Sequence, residues 1–290
     1  MTALLEAKGL VAGFGSHTVL HGIDLSVDEG TCAGIFGLNG AGKSVTLKVL
    51  AGLLDAWDGS VTFDGADITR LGAEDRVELG IGHVPQGRNV FANLSVEENL
   101  RLGAYVSRRR KTGRYNQMLE HVFDRFPVLA DRRDQVAGTL SGGQQASLAV
   151  GRALINEPRV IFVDEPSAGL APIVAGELLT TLRDVAKTGV TMLLVEQNVA
   201  FGLRIVDRAH VMQTGRVVYA GSVRTLDRNK LASYLGIGRM LTASTTGALA
   251  TRTRKPGAKR APAAKPAPKR KPAAKKTSPK RKTTKRKPTR

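Results

Sequence analysis

The chain has little with which to build a disulfide framework, cross a membrane or repeat itself. A lone cysteine, Cys32, stands among 290 residues. That excludes an intrachain disulfide and fits a reduced, cytosolic setting. No apolar run approaches the ~20 residues that span a bilayer, and the N-terminus shows no basic-then-apolar signal segment. Any pore the protein served would therefore be built by other chains. No internal repeat is visible, so one large core or two modest ones are expected.

Acidic residues are missing from one place. Of the 44 Lys and Arg, 18 fall in residues 241–290, where there is no Asp or Glu. The first 240 residues hold the other 26 basic groups against all 25 acidic ones, a net of +1. All but one unit of the formal charge of +19 thus lies in the tail, and the rest lacks a general nucleic-acid signature. A stretch such as Lys265-Pro266-Ala267-Pro268-Lys269-Arg270 has too little apolar surface to fold, and its prolines exclude helix. The expectation is a folded domain over 1–240 followed by a disordered basic tail over 241–290. The tail has no aromatic residue, so base stacking is unavailable to it. Three readings stand: a solvated charge run, sequence-blind nucleic-acid binding by counterion release, and attachment to anionic lipid at ~1 kcal/mol per cation.

Three short segments carry the chemistry. Thr31 to Phe36 is largely apolar or β-branched and suits a buried strand. Gly37-Leu38-Asn39-Gly40-Ala41-Gly42 follows, a run able to bend tightly and point backbone N–H groups inward. Such donors, with the positive end of the next helix, suit phosphate oxygens. Lys43 adds a mobile point charge for the outer phosphates, and the Ser44 hydroxyl suits Mg²⁺. Helix-compatible residues run from Val45 to Leu54.

Val160 to Val163 is short and wholly apolar, which fits a central parallel strand covered on both faces. Asp164 and Glu165 stand at its C-terminal end, where ligands bind in open α/β sheets. Two carboxylates there need partners, because unpaired buried charge is costly. Asp164 suits Mg²⁺, usually through water. Glu165 suits a general base that polarises water. Asp-Glu-Pro is also a good helix opening, and both uses can hold at once. A second apolar run, Val190 to Val195, is expected to be the neighbouring strand. His210 lies in another strand-like run and reads as structural.

Between these segments stands Leu140-Ser141-Gly142-Gly143-Gln144-Gln145, a polar, glycine-rich turn before a helix over Gln145–Leu154. By itself it reads as a helix cap. In order and spacing, however, the three segments together resemble the ATP-binding cassette (ABC) ATPases. There the middle segment binds ATP held by a partner subunit, so the resemblance implies a dimer in which Ser141, Gly142 and Gly143 reach phosphate in trans.

The resemblance covers residues 4 to about 240, and it is nearest to the ATP-binding subunits of branched-chain amino-acid importers. Gly82-His83-Val84-Pro85-Gln86-Gly87-Arg88-Asn89-Val90-Phe91 carries it, as do Leu94 to Leu100, Glu165 to Pro172 and Val195-Glu196-Gln197-Asn198. It implies an α/β P-loop core with an antiparallel β subdomain and a helical subdomain over about 88–145. Gln86 would lie at the hinge between core and helical part, sensing Mg²⁺ and γ-phosphate. Val45 would complete the nucleotide contacts of the phosphate loop. Phe14 matches the aromatic that stacks on adenine, which needs a π-face and no hydroxyl.

Three departures from the general family pattern matter. Gln197 stands where a histidine is usual, and it can donate a hydrogen bond but cannot exchange a proton. Glu165 is then left as the base. Ala171 replaces an aspartate that commonly links the two halves, so that stretch must be held differently. Gln144 replaces a frequent glutamate. The resemblance further implies ATP and Mg²⁺ as cofactors, and a second ATPase subunit, like or unlike, as partner. Two integral-membrane permeases and a periplasmic or lipoprotein substrate-binding protein complete the assembly, with this chain peripheral on the cytoplasmic face. Branched-chain or hydrophobic amino acids are the expected cargo, and urea or short-chain amides the alternative. A cassette ATPase acting on nucleic acid or ribosomes is the rival class. It typically shows two cassettes or long insertions, and neither is present.

Overall fold

The apolar runs that end in chemistry-bearing residues become adjacent strands of one sheet. The computed structural model describes residues 3–87, 89–106 and 113–234. The expected tail at 241–290 and the expected first residue of the helical segment, Arg88, lie outside the described residues. Strands β1 (Ala3–Phe14) and β2 (His17–Asp28) form a long antiparallel pair. With β4 (Asp58–Phe63) and β5 (Ala66–Asp67) they make a four-stranded sheet in the order β2-β1-β4-β5.

Strand β3 (Cys32–Phe36) instead joins β6 (Ile81–Val84), β7 (Val160–Asp164), β8 (Thr191–Glu196), β9 (Arg208–Gln213) and β10 (Arg216–Ser222). Their order is β10-β9-β3-β8-β7-β6, parallel throughout except for β10 against β9. Every residue of β3, β7 and β8 is buried. The period-2 alternation of a strand divides their side chains between two cores. Cys32, Phe36, Ile161, Val163, Met192 and Leu194 enter one, which contains most of the helices. Ala33, Ile35, Val160, Phe162, Leu193 and Val195 enter the other, with the antiparallel sheet. At roughly 1.5–3 kcal/mol for each large side chain removed from water, this two-sided burial explains runs with no polar alternation.

Among the described residues the helices are α1 (Lys43–Leu50), α2 (Ala73–Glu78), α3 (Val96–Gly103), α4 (Tyr115–Arg125), α5 (Pro127–Ala130), α6 (Gly142–Leu154), α7 (Pro172–Lys187), α8 (Val199–Gly202) and α9 (Arg228–Tyr234). The fold is thus α/β with an antiparallel sheet and helical parts, as expected.

Helix limits shifted in two places. Helix α1 begins two residues before Val45 and ends at Leu50, short of Leu54, because Gly52 takes a left-handed φ of 71°. Helix α6 starts at Gly142, before Gln145, because Ser141 caps it.

The far end of α1 is secured by Arg76, which is almost fully buried. Its guanidinium donates to the carbonyls of Val49 (2.8 Å), Leu50 (2.7 Å), Ile68 (2.7 Å), Thr69 (3.1 Å) and Leu71 (2.9 Å). It satisfies helix-end acceptors and ties α1 to the turn after β5.

Candidate functional site

The site grows from the C-terminal ends of β3, β6, β7 and β8. Two glycines of the loop after β3 are required by their surroundings. A Cβ on Gly37 would lie 2.4 Å from the Met212 carbonyl oxygen, a backbone atom that cannot swing aside. Gly42 has φ 100°, and a Cβ there would meet Leu20 at 2.9 Å. Leu38, Asn39 and Gly40 are exposed, whereas Gly37, Ala41 and Gly42 are buried and Val45 is half-buried.

Helix α1 opens with no side-chain cap and no acidic residue in its first turn. The amides that begin any helix lack partners within it, so here their acceptor must come from outside the helix. The dipole at that end favours an anion. Lys43, 4% exposed, adds a full positive charge. Its Nζ donates to the carbonyls of Gly37 (3.0 Å) and Leu38 (3.2 Å) and lies 3.5 Å from Glu165 Oε1. The geometry is that of an anion cradle.

The carboxylates close the other side. Ser44 Oγ donates to Asp164 Oδ1 at 3.1 Å. Burial pushes the Asp164 carboxyl above its ordinary value, the Ser44 hydrogen bond pulls it back, and the Glu165 charge raises it again. Glu165 holds a left-handed backbone, φ 45°, a conformation costly for a residue with a Cβ. Its amide donates to the Val195 carbonyl (2.9 Å), and its Oε2 accepts from Gln86 Nε2 (2.8 Å). Lys43, Ser44, Gln86, Asp164 and Glu165 therefore form one connected group. A cavity of about 540 Å³ opens beside it, lined by Gln86, Asp164 and Glu165 and by Gln145, Ala146 and Ala149 of α6.

The other predicted residues stand outside this hydrogen-bonded group. Gln197 is exposed just past β8 and makes no side-chain hydrogen bond among the described residues. Phe14 is half-exposed at the end of β1, paired with His17. Ser141, Gly142 and Gly143 sit at the start of α6, and Ser141 and Gly143 line a different cavity of about 300 Å³ against α7. Gln197 thus stays at the β8 end of the site, just past the Glu196–Phe36 pair, whereas neither Phe14 nor the Ser141–Gly143 turn lines the cavity beside Glu165.

One residue that the sequence reading leaves without a role is drawn into the site. Glu196, the last residue of β8, is 1% exposed, and its carboxylate accepts backbone N–H bonds from Ser167 and Asn198. Burial pushes its carboxyl upward, and the hydrogen bonds from Ser167 and Asn198 offset part of that. The available signal was an acidic residue closing the apolar run Met192–Val195. His210 is buried in β9, and burial lowers it to about 4. It is neutral at physiological pH, in keeping with a structural place.

A family model described as ABC transporter matches residues 20–168. The high-affinity branched-chain amino acid transport ATP-binding protein BraG of Pseudomonas aeruginosa is 39% identical over 205 residues, covering 71% of this chain and 87% of BraG. The probable branched-chain amino acid transport ATP-binding protein LivF of Archaeoglobus fulgidus is 38% identical over 226 residues, covering 77% of this chain and 94% of LivF. The lipopolysaccharide export system ATP-binding protein LptB of Haemophilus influenzae is also similar, at 29% identity over 81% of this chain and 98% of LptB. Among solved structures, the ADP conformation of an ATP-binding cassette of an ABC transporter matches with a TM-score of 0.70 and 29% identity, covering 82% of this chain and all of that one. With half the chain inside the family model and its relatives covered almost end to end, the protein belongs to the ABC transporter family and is one of its ATP-binding cassette ATPases.

Proposed function

We propose that this chain is the ATP-hydrolysing subunit of an importer for branched-chain or other hydrophobic amino acids. One observation supports the activity above all others: Glu165 bridges Lys43 and Gln86 beside a helix start that has no cap of its own. The cargo rests on likeness to BraG and LivF.

Each residue then has a task. The backbone from Gly37 to Val45 receives the phosphates, and Lys43 exchanges its carbonyl contacts and Glu165 for the outer ones. Phe14 offers its exposed ring to adenine. Glu165 accepts the proton of the attacking water, while Gln197 donates a hydrogen bond to the γ-phosphate without taking part in proton transfer. Ser44 and Asp164 fit Mg²⁺: their oxygens lie 3.1 Å apart. Among the described residues no three acidic, Cys or His side chains form a complete cage, which suits an ion that also relies on phosphate and water. When bound, Mg²⁺ neutralises charge developing on the phosphate oxygens. Gln86 lies between Glu165 and the loop leading to α3, so it relays the state of the site to a membrane partner.

Ser141, Gly142 and Gly143 serve the nucleotide of a second ATPase subunit, in keeping with Ser141 and Gly143 lining a cavity other than the one beside Glu165. Among the described residues no helix is long and apolar enough to cross a membrane. Two permease chains supply the path, a substrate-binding protein supplies the cargo, and this subunit sits at the cytoplasmic face. The basic segment 241–290 contacts anionic lipid headgroups there.

Purification from detergent-solubilised membranes tests this reading. Two hydrophobic permease chains should accompany the protein, and vesicles holding the complex should take up leucine-like amino acids at the expense of ATP. Recovery with nucleic acid or ribosomes and no permease would overturn the importer. Permeases that move lipid outward, or urea or short amides inward, would overturn only the cargo.

A further inference from the structure

Glu196 is an expensive residue to place where it stands. The strand before it is apolar from Met192 to Val195, and at this position the alternation of β8 points toward the helical core, where a leucine or methionine would avoid the cost of burying a carboxylate. Gly202 of α8 packs close against it, since a Cβ there would lie 3.4 Å from Glu196 Cβ. What the carboxylate does is use its two oxygens on two different loops. Oε1 accepts from the Ser167 amide at 3.1 Å, and Oε2 accepts from the Asn198 amide at 3.3 Å.

Those loops are not arbitrary. Ser167 lies two residues after Glu165, in a turn closed by Ala168 N to Glu165 O (3.1 Å) and Leu170 N to Ser167 O (3.2 Å). Asn198 directly follows Gln197 and caps α8 through Phe201 N (3.2 Å). Glu196 thus clamps the loop bearing the base to the loop bearing the γ-phosphate donor. It does so in a chain where Ala171 leaves the first loop without the carboxylate that the family commonly uses there.

We infer that Glu196 is a positioning residue for hydrolysis: it fixes the Glu165–Ala171 loop relative to Gln197 through the Ser167 and Asn198 amides. This rests on the proposed roles of Glu165 and Gln197. A glutamine at 196 has the same shape but only one acceptor oxygen, so one amide must lose its partner.

The test uses the full chain with its partner ATPase subunit. Glu196→Gln should lower kcat about tenfold and leave the KM for MgATP within about twofold, a split expected when only the catalytic step loses an interaction. Because Glu196 acts partly through Gln197, the double variant Glu196→Gln/Gln197→Ala should be less impaired than the product of the single effects. Multiplying effects, or a kcat for Glu196→Gln within about twofold of the wild type, would overturn the inference. Hydrogen exchange on the wild-type chain gives a test that no folding defect can blur. The Ser167 and Asn198 amides should exchange at least about tenfold more slowly than in an unstructured peptide, and free exchange at either would equally overturn it. If Glu165→Gln hydrolysed ATP normally, it would be the underlying assignment of the base that failed, a result separable from both.

Discussion

Helices α1 and α6 both begin in glycine-rich turns, and they begin in opposite ways. At α6, Ser141 closes a capping box with Gln144: the Ser141 amide donates to Gln144 Oε1 at 2.9 Å, and the Gln144 amide donates to Ser141 Oγ at 3.4 Å. Helix α3 does the same with Ser95 and Glu98. Helix α1 has no such cap. A side-chain cap is commonly worth ~1 kcal/mol, so α1 forgoes local stability to keep its amides for an anion. Arg76 fastens its other end. The start of α6 is satisfied within its own chain, so it asks nothing of its own phosphate loop. In the proposed dimer, the long 3.4 Å contact is the bond most easily given up to a nucleotide held by the second subunit.

The harshest way to break this contrast is at Glu165, the residue joining the α1 side to Gln86. Glu165→Gln keeps the shape and one acceptor for Gln86 but cannot take a proton from water. Hydrolysis should fall ~10²- to 10⁴-fold, the range that general-base assistance spans. ATP binding should hold or strengthen, because one negative charge beside the nucleotide is gone. The variant should accumulate as an ATP-bound dimer, seen as a larger species on size-exclusion chromatography with Mg-ATP. If the dimer is mixed, that species needs both chains. Unchanged turnover would remove Glu165 from the role of base.

Ser141→Arg attacks the other helix start. It loses the capping box, at a cost of about 0.5–2 kcal/mol, and puts bulk and charge where a partner's phosphate must sit. Binding of ATP by the chain's own loop should remain near normal while hydrolysis falls on the order of 100-fold. A melting curve separates the small cap loss from the large catalytic one. Hydrolysis at the wild-type rate would mean that the start of α6 serves no nucleotide.

Why the two helix starts differ was only partly legible in the sequence. The glycine spacing, Lys43-Ser44 and the Asp164-Glu165 pair gave the strand ends correctly, because short apolar runs closed by charge have few other uses in an α/β fold. The second apolar run, Val190 to Val195, is the neighbour of β7 as expected, but the places of β6 and β9 could not be read, since parallel neighbours are set by crossovers over long separations. The limits of α1 depended on Gly52 turning left-handed, and a lone glycine does not announce its φ. Glu196 was hidden for a similar reason: its partners are backbone amides 29 and 2 residues away, and an amide carries no sequence signature. The capping box of α6 was fully written in Ser141-Gly142-Gly143-Gln144, yet Gln144 reads first as a departure from a family habit.

Two alanine substitutions sharpen the comparison at smaller scale. A Cβ on Gly37 meets backbone, the Met212 carbonyl, at 2.4 Å, whereas a Cβ on Gly143 meets the Val174 side chain at 2.2 Å. Backbone in a buried sheet yields less than a valine on a helix. Gly37→Ala should therefore distort the cradle and weaken ATP binding by roughly tenfold or more. Gly143→Ala should leave ATP binding by the chain's own loop unaltered and lower stability by about 1–3 kcal/mol. Equal losses of ATP affinity in the two variants would erase the distinction between the helix starts.

The smallest effect is expected at Gln197, and its size is itself informative. Unlike Glu165, Gln197 is exposed and makes no side-chain hydrogen bond among the described residues, so its removal strands no buried partner. What Gln197→Ala loses is one hydrogen bond from a neutral donor to a charged phosphate; the donor's exposure to solvent brings the ~1.5–3 kcal/mol of such a bond down to about 0.5–1.5 kcal/mol. That corresponds to a rate loss of roughly 2- to 10-fold. Because glutamine does not titrate, the pH dependence of kcat should keep its shape in the variant, and only its height should change. Steady-state rates over a pH series decide the matter. A changed profile would mean that Gln197 shapes proton transfer through its neighbours. A loss as large as that of Glu165→Gln would reverse the ranking of the two residues and place the decisive interaction on the β8 side of the site.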